Sequence, residues 1–275
     1  MAKKKSAPPK LTGHRQNFVK LIEELSYRHS RYTAFSDFNE LFAIDISNSL
    51  RANSAATLEA RAKKYQETLA KYNDREREIF PKLAAEVVLE MENDFPNYRD
   101  VLGELFHAMN LQNEANGQFF TPQNISDMMS KMTVDAGQLA PIIKERGFVT
   151  IQEPCAGGGS TLLGVINAFF EQGLNPCKEA VFFANDIDER CVHMAYIQLS
   201  LAGVPAVVNH IDTLLNEPFG EPWFTPVYVA GFWNYRLRRA FKGAEGEDTT
   251  LPATAEETPS LAEKPAEKLG QLTLF

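Results

Sequence analysis

The sequence predicts an α/β protein in two parts: an all-helical N-terminal unit over residues 13–116, then a parallel, doubly wound sheet over residues 117–242. Three observations lead there. Apolar residues recur at i, i+3, i+4 and i+7 as far as Met109, the stripe of amphipathic helices. After Gly117 short β-rich runs alternate with helical stretches, which implies right-handed crossovers between parallel strands. Finally, 275 residues with 44% apolar and 23% charged side chains can bury the core this fold needs, with two compact units as the ceiling.

Residues 1–12 are rich in Lys, Pro and Ser with little to bury, and are expected to form a flexible basic arm. Phe18, Leu21, Ile22 and Leu25 mark the first helix. Ser36 is the expected cap of a second helix running through Leu41 and Phe42, and Leu58, Ala62, Tyr65, Leu69 and Tyr72 mark a third. Phe80, Leu83, Val87 and Met91 form the next stripe, where Pro81 is tolerated at the helix start because its missing N–H would be unpaired there anyway. Val101, Leu102, Leu105, Phe106 and Met109 close the set. Strands are then expected at 148–152, 180–184 and 206–211, with helices at about 160–171 and 189–201 between them. Residues 226–230 are a fourth candidate strand. From Gly243 the composition turns to Ala, Glu, Thr, Pro and Lys, which predicts a disordered acidic tail over 243–275.

No apolar run approaches the roughly 18 uncharged residues a membrane helix needs, and none follows the N-terminal lysines. The expectation is a protein neither secreted nor membrane-bound. Cys155, Cys177 and Cys191 are odd in number and lack C-x-x-C spacing, so they indicate neither a disulfide framework nor a zinc site, and a reducing cytoplasm fits. No metal is expected. A net charge of −8 argues at first sight against nucleic acid. Its distribution matters more. Residues 243–275 hold seven acids against two lysines, whereas Arg236, Arg238 and Arg239 cluster in the body and Lys3, Lys4, Lys5 and Lys10 crowd the arm.

The segment richest in chemistry is Glu153-Pro154-Cys155-Ala156-Gly157-Gly158-Gly159-Ser160, between a short apolar strand and a helix. Glycines let a backbone approach a ligand closely, the following helix aims free N–H groups at it, and an acid at the strand end can hold an ammonium. It is not a P-loop, which would need Gly-Lys-Ser/Thr at its end, nor a nicotinamide-type G-x-G-x-x-G, since position 162 is leucine. The next strand ends in Asn185-Asp186-Ile187-Asp188. Asp186 stands where a carboxylate accepts hydrogen bonds from two ribose hydroxyls, and Asp188 is equally suited to capping the following helix. A third strand ends His210-Ile211-Asp212-Thr213, so three acids close three successive strands.

Taken in order, Gly117-Gln118-Phe119-Phe120-Thr121-Pro122, EPCAGGGS, NDID and HIDTL resemble the cofactor half of N6-adenine DNA methyltransferases, most of all the modification subunit of type I restriction systems. Asp100-Val101-Leu102-Gly103-Glu104-Leu105 is similar to that family's stretch ahead of GQFFTP, so the likeness covers roughly residues 98–215. It implies a Rossmann-like, S-adenosylmethionine-dependent methyltransferase core with an incomplete parallel sheet. By the resemblance, Gln118, Phe120, Thr121 and Pro122 lie at the methionine portion of S-adenosylmethionine. Glu153, Pro154, Ala156, Gly157 and Gly159 hold its amino acid end, and Asp186 takes the ribose hydroxyls. Ile187 packs on the adenine face, while Asp212, beside Thr213, accepts from the adenine exocyclic amine.

The family also carries N/D-P-P-F/Y after a fourth strand, where the Asn and a carbonyl accept hydrogen bonds from the target amine and the aromatic stacks on a flipped base. This chain lacks it. Asn216-Glu217-Pro218-Phe219 comes only four residues after Asp212, and Gly231-Phe232-Trp233-Asn234-Tyr235 stands at the expected place. Two functions are therefore expected: a DNA adenine-N6 methyltransferase subunit completed by a specificity or partner subunit, or a catalytically silent relative that binds cofactor or DNA to regulate. GQFFTP points away from small-molecule methyltransferases. Gln271-Leu272-Thr273-Leu274-Phe275 further resembles the pentapeptide by which bacterial proteins dock on the sliding clamp, with Gln271, Leu272, Leu274 and Phe275 as its contacts.

Overall fold

A computed structural model describes residues 13–111 and 121–242, together with the backbone of 271–273. Six helices come first: α1 (Gly13–Leu25), α2 (Arg31–Leu50), α3 (Ala55–Leu69), α4 (Asp74–Arg77), α5 (Ile79–Asp94) and α6 (Val101–Ala108). Phe18 of α1 meets Phe35 and Phe38 of α2 edge-on, with ring centres 6.1 and 5.2 Å apart. The second helix starts earlier than its sequence suggests. Ser30, extended at φ −65°, ψ 150°, accepts from the Thr33 amide as the N-cap, and Ser36 lies inside α2 because the buried Ala34 and Phe35 carry the apolar face upstream of it.

Helices α7 (Gln123–Thr133) and α8 (Ala136–Arg146) lead into a sheet whose parallel centre is β1 (Val149–Glu153), β2 (Ala180–Asp186) and β3 (Ala206–Asp212). The crossovers are α9 (Ser160–Glu171), the short α10 (Pro176–Glu179) and α11 (Glu189–Leu201). Near-continuous burial along β1 and β2 is what a parallel sheet covered on both faces requires. Two short antiparallel strands, β4 (Glu217–Pro218) and β5 (Trp223–Phe224), pair with β3, and β6 (Gln271–Thr273) pairs in parallel with β1. The order is β4-β3-β2-β1-β6, with β5 on β3.

Two expectations are corrected here. Residues 226–230 are not a strand but α12 (Pro226–Ala230), followed by α13 (Trp233–Lys242). Pro226 at the first helical turn presets φ for a helix, and Thr225 spends its hydroxyl on Val204 O and Ala206 N at the head of β3. Within the expected tail, Gln271–Thr273 form a strand, because the edge of β1 away from β2 offers a row of backbone donors and acceptors. Residues 243–270, 274 and 275 lie outside the described ones.

One continuous set of buried apolar side chains joins the helices to the sheet, from Phe18 and Leu83 to Ile151 and Phe182. A smaller set, Phe148, Val181, Val207, Phe224, Tyr228 and Trp233, sits at the strand starts under α12 and α13. Among the described residues no helix is long and apolar enough to cross a membrane.

Candidate cofactor site

The carboxyl ends of β1, β2 and β3 converge on the glycine turn, and each of its three glycines has a separate reason to be there. Gly157 and Gly159 have φ of 54° and 98°, the left-handed region that side chains avoid. Gly158 sits where space is tight, since a Cβ there would stand 3.1 Å from the Asp100 carboxylate and 3.3 Å from the Met194 methyl. The turn ends at the N-terminus of α9, whose first amides have no side-chain cap. Such an end favours negative charge.

Glu153 is 3% exposed at the end of β1, accepting from the Cys155 amide at 3.1 Å and the Thr161 hydroxyl at 2.9 Å. Burial pushes its carboxyl above the usual range, against those two bonds and with help from nearby Asp186. Asp186 accepts from the Gly157 amide through Oδ2 and from the Asp188 amide through Oδ1, both at 2.8 Å. Burial raises it as well. Each carboxylate oxygen has two acceptor directions, so these bonds aim Asp186 and still leave it able to accept from ligand hydroxyls.

Asp212 turns one oxygen toward the Leu214 and Leu215 amides, at 2.9 and 3.1 Å, while Thr213 donates to the Pro154 carbonyl at 2.8 Å. That bond ties the end of β3 to the glycine-turn segment. Ile187 projects beside Asp186 with 61% of its surface exposed, an apolar face with no described cover. Ala156 is buried, its amide bonded to Asn185 O at 2.8 Å. Asp188 caps α11 by accepting from the Arg190 amide at 2.9 Å, which is the structural one of its two readings.

Thr121 and Pro122 are brought to the same place. Ser160 donates to the Thr121 carbonyl at 3.0 Å and bonds Ser126 at 2.6 Å, and Pro122 heads α7. Helices α7 and α9 approach closely because position 164 is glycine: a Cβ there would lie 2.8 Å from the Ser130 hydroxyl. Gln118 and Phe120 fall outside the described residues.

Sequence reasoning missed the link beneath the turn. Gln198, fully buried on α11, donates to Asp100 at 2.8 Å and to the Gly158 carbonyl at 2.7 Å, and accepts from the Leu102 amide at 3.2 Å. Its only signal was the family-like stretch starting at Asp100. Cys155, though exposed, is no activated nucleophile. Desolvation, then Asp186 and Glu153, hold its thiol above the ordinary value.

Of the two stand-ins for the missing acceptor tetrapeptide, residues 231–235 sit elsewhere. Strand β5 runs antiparallel to β3, so the chain leaving it at Thr225 has reached Ala206, the start of β3. Residues 231–235 therefore lie at the edge opposite the three acids. Trp233 is buried there against Phe148, ring centres 5.2 Å apart, and does not offer a face to a base at the acid edge. Asn216 to Phe219 do lie at the acid edge, where Glu217 pairs with Asp212, but on the outer side of β3, with β3 and β2 between them and β1.

The cradle fits a ligand with an ammonium, a diol and an aromatic ring: a buried acid, close-approach glycines and a second acid at the neighbouring strand end. Among solved structures, the chain is similar to a class I S-adenosylmethionine-dependent methyltransferase of Listeria monocytogenes, at 16% identity and TM-score 0.39 over 73% of this chain and 54% of that one. It is also similar to the type I restriction-modification methyltransferase subunit of Streptococcus thermophilus, at 18% identity and TM-score 0.35 over 72% and 39%. A third likeness is to the DrdV–DNA complex, at 16% identity and TM-score 0.38 over 83% and 25%. The chain thus spans about half the length of the first and less of the others. No curated protein sequence matches it. Residues 97–237, just over half the chain, match the model described as N-6 DNA methylase, and the chain belongs to that family, whose cofactor is S-adenosylmethionine.

Proposed function

We propose that the chain is a DNA-modification protein that binds S-adenosylmethionine at the ends of β1, β2 and β3 and depends on a partner subunit for methyl transfer to adenine N6. The carrying observation is a division between two edges: Glu153, Gly157 and Asp186 converge on one, while Phe232 to Tyr235 lie on the other. When bound, the cofactor supplies an electrophilic methyl group on a sulfonium.

The chain's own residues bind and orient. Glu153 accepts from the ammonium, Asp186 from the ribose hydroxyls and Asp212 from the adenine amine, while Ile187 covers the ring. The amides at the start of α9 face the carboxylate. The segment at that edge, Asn216-Glu217-Pro218-Phe219, lacks the Pro-Pro pair that would hold acceptors rigid for a target amine. Methylation assays with labelled cofactor on mixed-sequence duplex DNA test this: the purified chain is expected to bind the cofactor yet transfer no methyl groups. Ordinary turnover by the chain alone would overturn the partner requirement.

A second reading keeps the cofactor site and makes the protein a silent, regulatory relative recruited to replicating DNA in the cytoplasm through the sliding clamp. The same division of edges favours it. Gln271, Leu272, Leu274 and Phe275 would enter the clamp's peptide pocket, and micromolar or weaker affinity is expected because a short segment is ordered on binding. The separating result is methyl transfer restored by a partner subunit.

A further inference from the structure

The edge of the sheet opposite the cofactor cradle holds a cavity of about 520 Å3, lined by Arg146, Phe148, Tyr235, Arg236 and Arg239, with Glu145 the one carboxylate among its lining residues. This is within the size range of small-ligand sites. It is built in part from residues that the family likeness would have sent to the catalytic edge. Five strand residues separate Phe148 from Pro154, six steps in all, which puts the cavity roughly 20 Å from the cradle at about 3.3 Å per residue.

Its arginines differ from most of those elsewhere, although Arg61 is likewise stacked, 3.7 Å from the centre of the Trp223 ring. Arg15, Arg28, Arg31, Arg77, Arg99 and Arg190 each form an ion pair with a carboxylate. Arg236 is fixed by other means: its guanidinium lies 3.6 Å from the centre of the Trp233 ring and 5.4 Å from that of Phe148, and it donates to the Lys178 carbonyl at 3.2 Å. These contacts fix the planar group without neutralising it. Arg239, one turn further on the same face of α13, is exposed and meets no carboxylate among the described residues. Tyr235 stands at the same mouth with 60% of its surface exposed. In a chain of net charge −8, two guanidinium groups with no ion pair among the described residues thus stand beside an open aromatic face.

We propose that this cavity is a phosphate-backbone site for nucleic acid, in which Arg236 and Arg239 take phosphate oxygens and Tyr235 offers a stacking face. Guanidinium forks match phosphate oxygens two at a time, and an aromatic face accepts any base. The site would anchor DNA away from the chemistry. The inference rests on the reading of the protein as acting on DNA.

The test is fluorescence anisotropy of the full chain with labelled duplex and single-stranded oligonucleotides across a salt series, alongside calorimetry with S-adenosylhomocysteine. Arg239→Glu is expected to weaken DNA binding about tenfold at low salt and to reduce the slope of log affinity against log salt by about 1. Arg239→Lys should keep the slope. Tyr235→Ala should cost only the single-stranded probe, on the order of fivefold or more. All three variants should bind S-adenosylhomocysteine like the parent. DNA binding that ignores Arg239→Glu overturns this site alone, whereas absent DNA binding with intact S-adenosylhomocysteine binding overturns both this site and the DNA reading. Displacement of DNA by stoichiometric adenosine monophosphate would mark a mononucleotide site and also overturn the proposal.

Discussion

One nitrogen of Gln198 serves both Asp100 and the Gly158 carbonyl, at 2.8 and 2.7 Å, so the cap of α6 and the glycine turn of the cofactor edge hang on a single side chain. Asp100 is itself buried and caps α6 by accepting from the Gly103 amide through its side chain at 2.8 Å and from the Glu104 amide through its carbonyl at 2.9 Å. Burial raises its carboxyl above the usual range, despite the bonds from Gln198 and Gly103.

Gln198→Ala is expected to destabilise the fold by about 2 to 3 kcal/mol, because it leaves the Asp100 carboxyl and the Leu102 amide short of partners in the interior. At this chain size that corresponds to a melting temperature lower by roughly 5 to 10 °C. Circular dichroism melts check it. An unchanged midpoint would show that the link is dispensable.

Gly158→Ala brings a methyl group to 3.1 Å from Asp100 and 3.3 Å from Met194. The expected result is a turn pushed off its seat, with cofactor affinity falling more than thermal stability. Gly164→Ala should behave the other way. Its methyl would strike the Ser130 hydroxyl at 2.8 Å, between α7 and α9, and is expected to cost about 1 to 3 kcal/mol of stability. Paired melts and calorimetry separate the two.

Asp186→Ala is expected to weaken S-adenosylhomocysteine by about 1.5 to 3 kcal/mol, the worth of a hydrogen bond to a charged group. Asp188→Ala should lower stability through its lost cap on α11 by about 1 kcal/mol and leave affinity nearly intact. Calorimetric titration of both variants reads the difference. Equal losses would erase the division of labour between them.

Glu153 and Asp186 give stability and affinity opposite responses to pH. Their folded pKa values are raised, so the stability they contribute is fully present below the unfolded value of roughly 4 and is lost as pH rises through the folded value. The unliganded protein should melt higher near about pH 5 than near about pH 8. Ligand binding uses the ionised carboxylates and should strengthen over that interval. The ligand-induced rise in melting temperature is therefore expected to grow with pH, and a flat profile would count against both assignments.

The parallel centre of the sheet was legible because three short, apolar, β-branched runs each end in an acid, and burial on both faces leaves such runs few other uses. Pro226–Ala230 has the same look, Pro-Val-Tyr-Val-Ala, and became a helix: a run this short carries no period, and the proline and the strand-start bonds of Thr225 decided it. Glu153, Asp186 and the glycines were legible from their place at strand ends. Gln198 was not, since a polar residue inside an apolar helix shows its purpose only once α6 and the glycine turn are beside it.

The pairing of Gln271–Thr273 with Thr150–Gln152 leaves β1 with a neighbour on each side. If the same segment is drawn into a clamp, β1 is stripped on one flank, and its bare N–H and C=O groups become a template for another chain. Recruitment and self-association would then be coupled, the protein growing stickier at the moment it is held on DNA. Removing residues after Gly270 mimics that state without a clamp, and light scattering should find it associating at concentrations where the full chain does not.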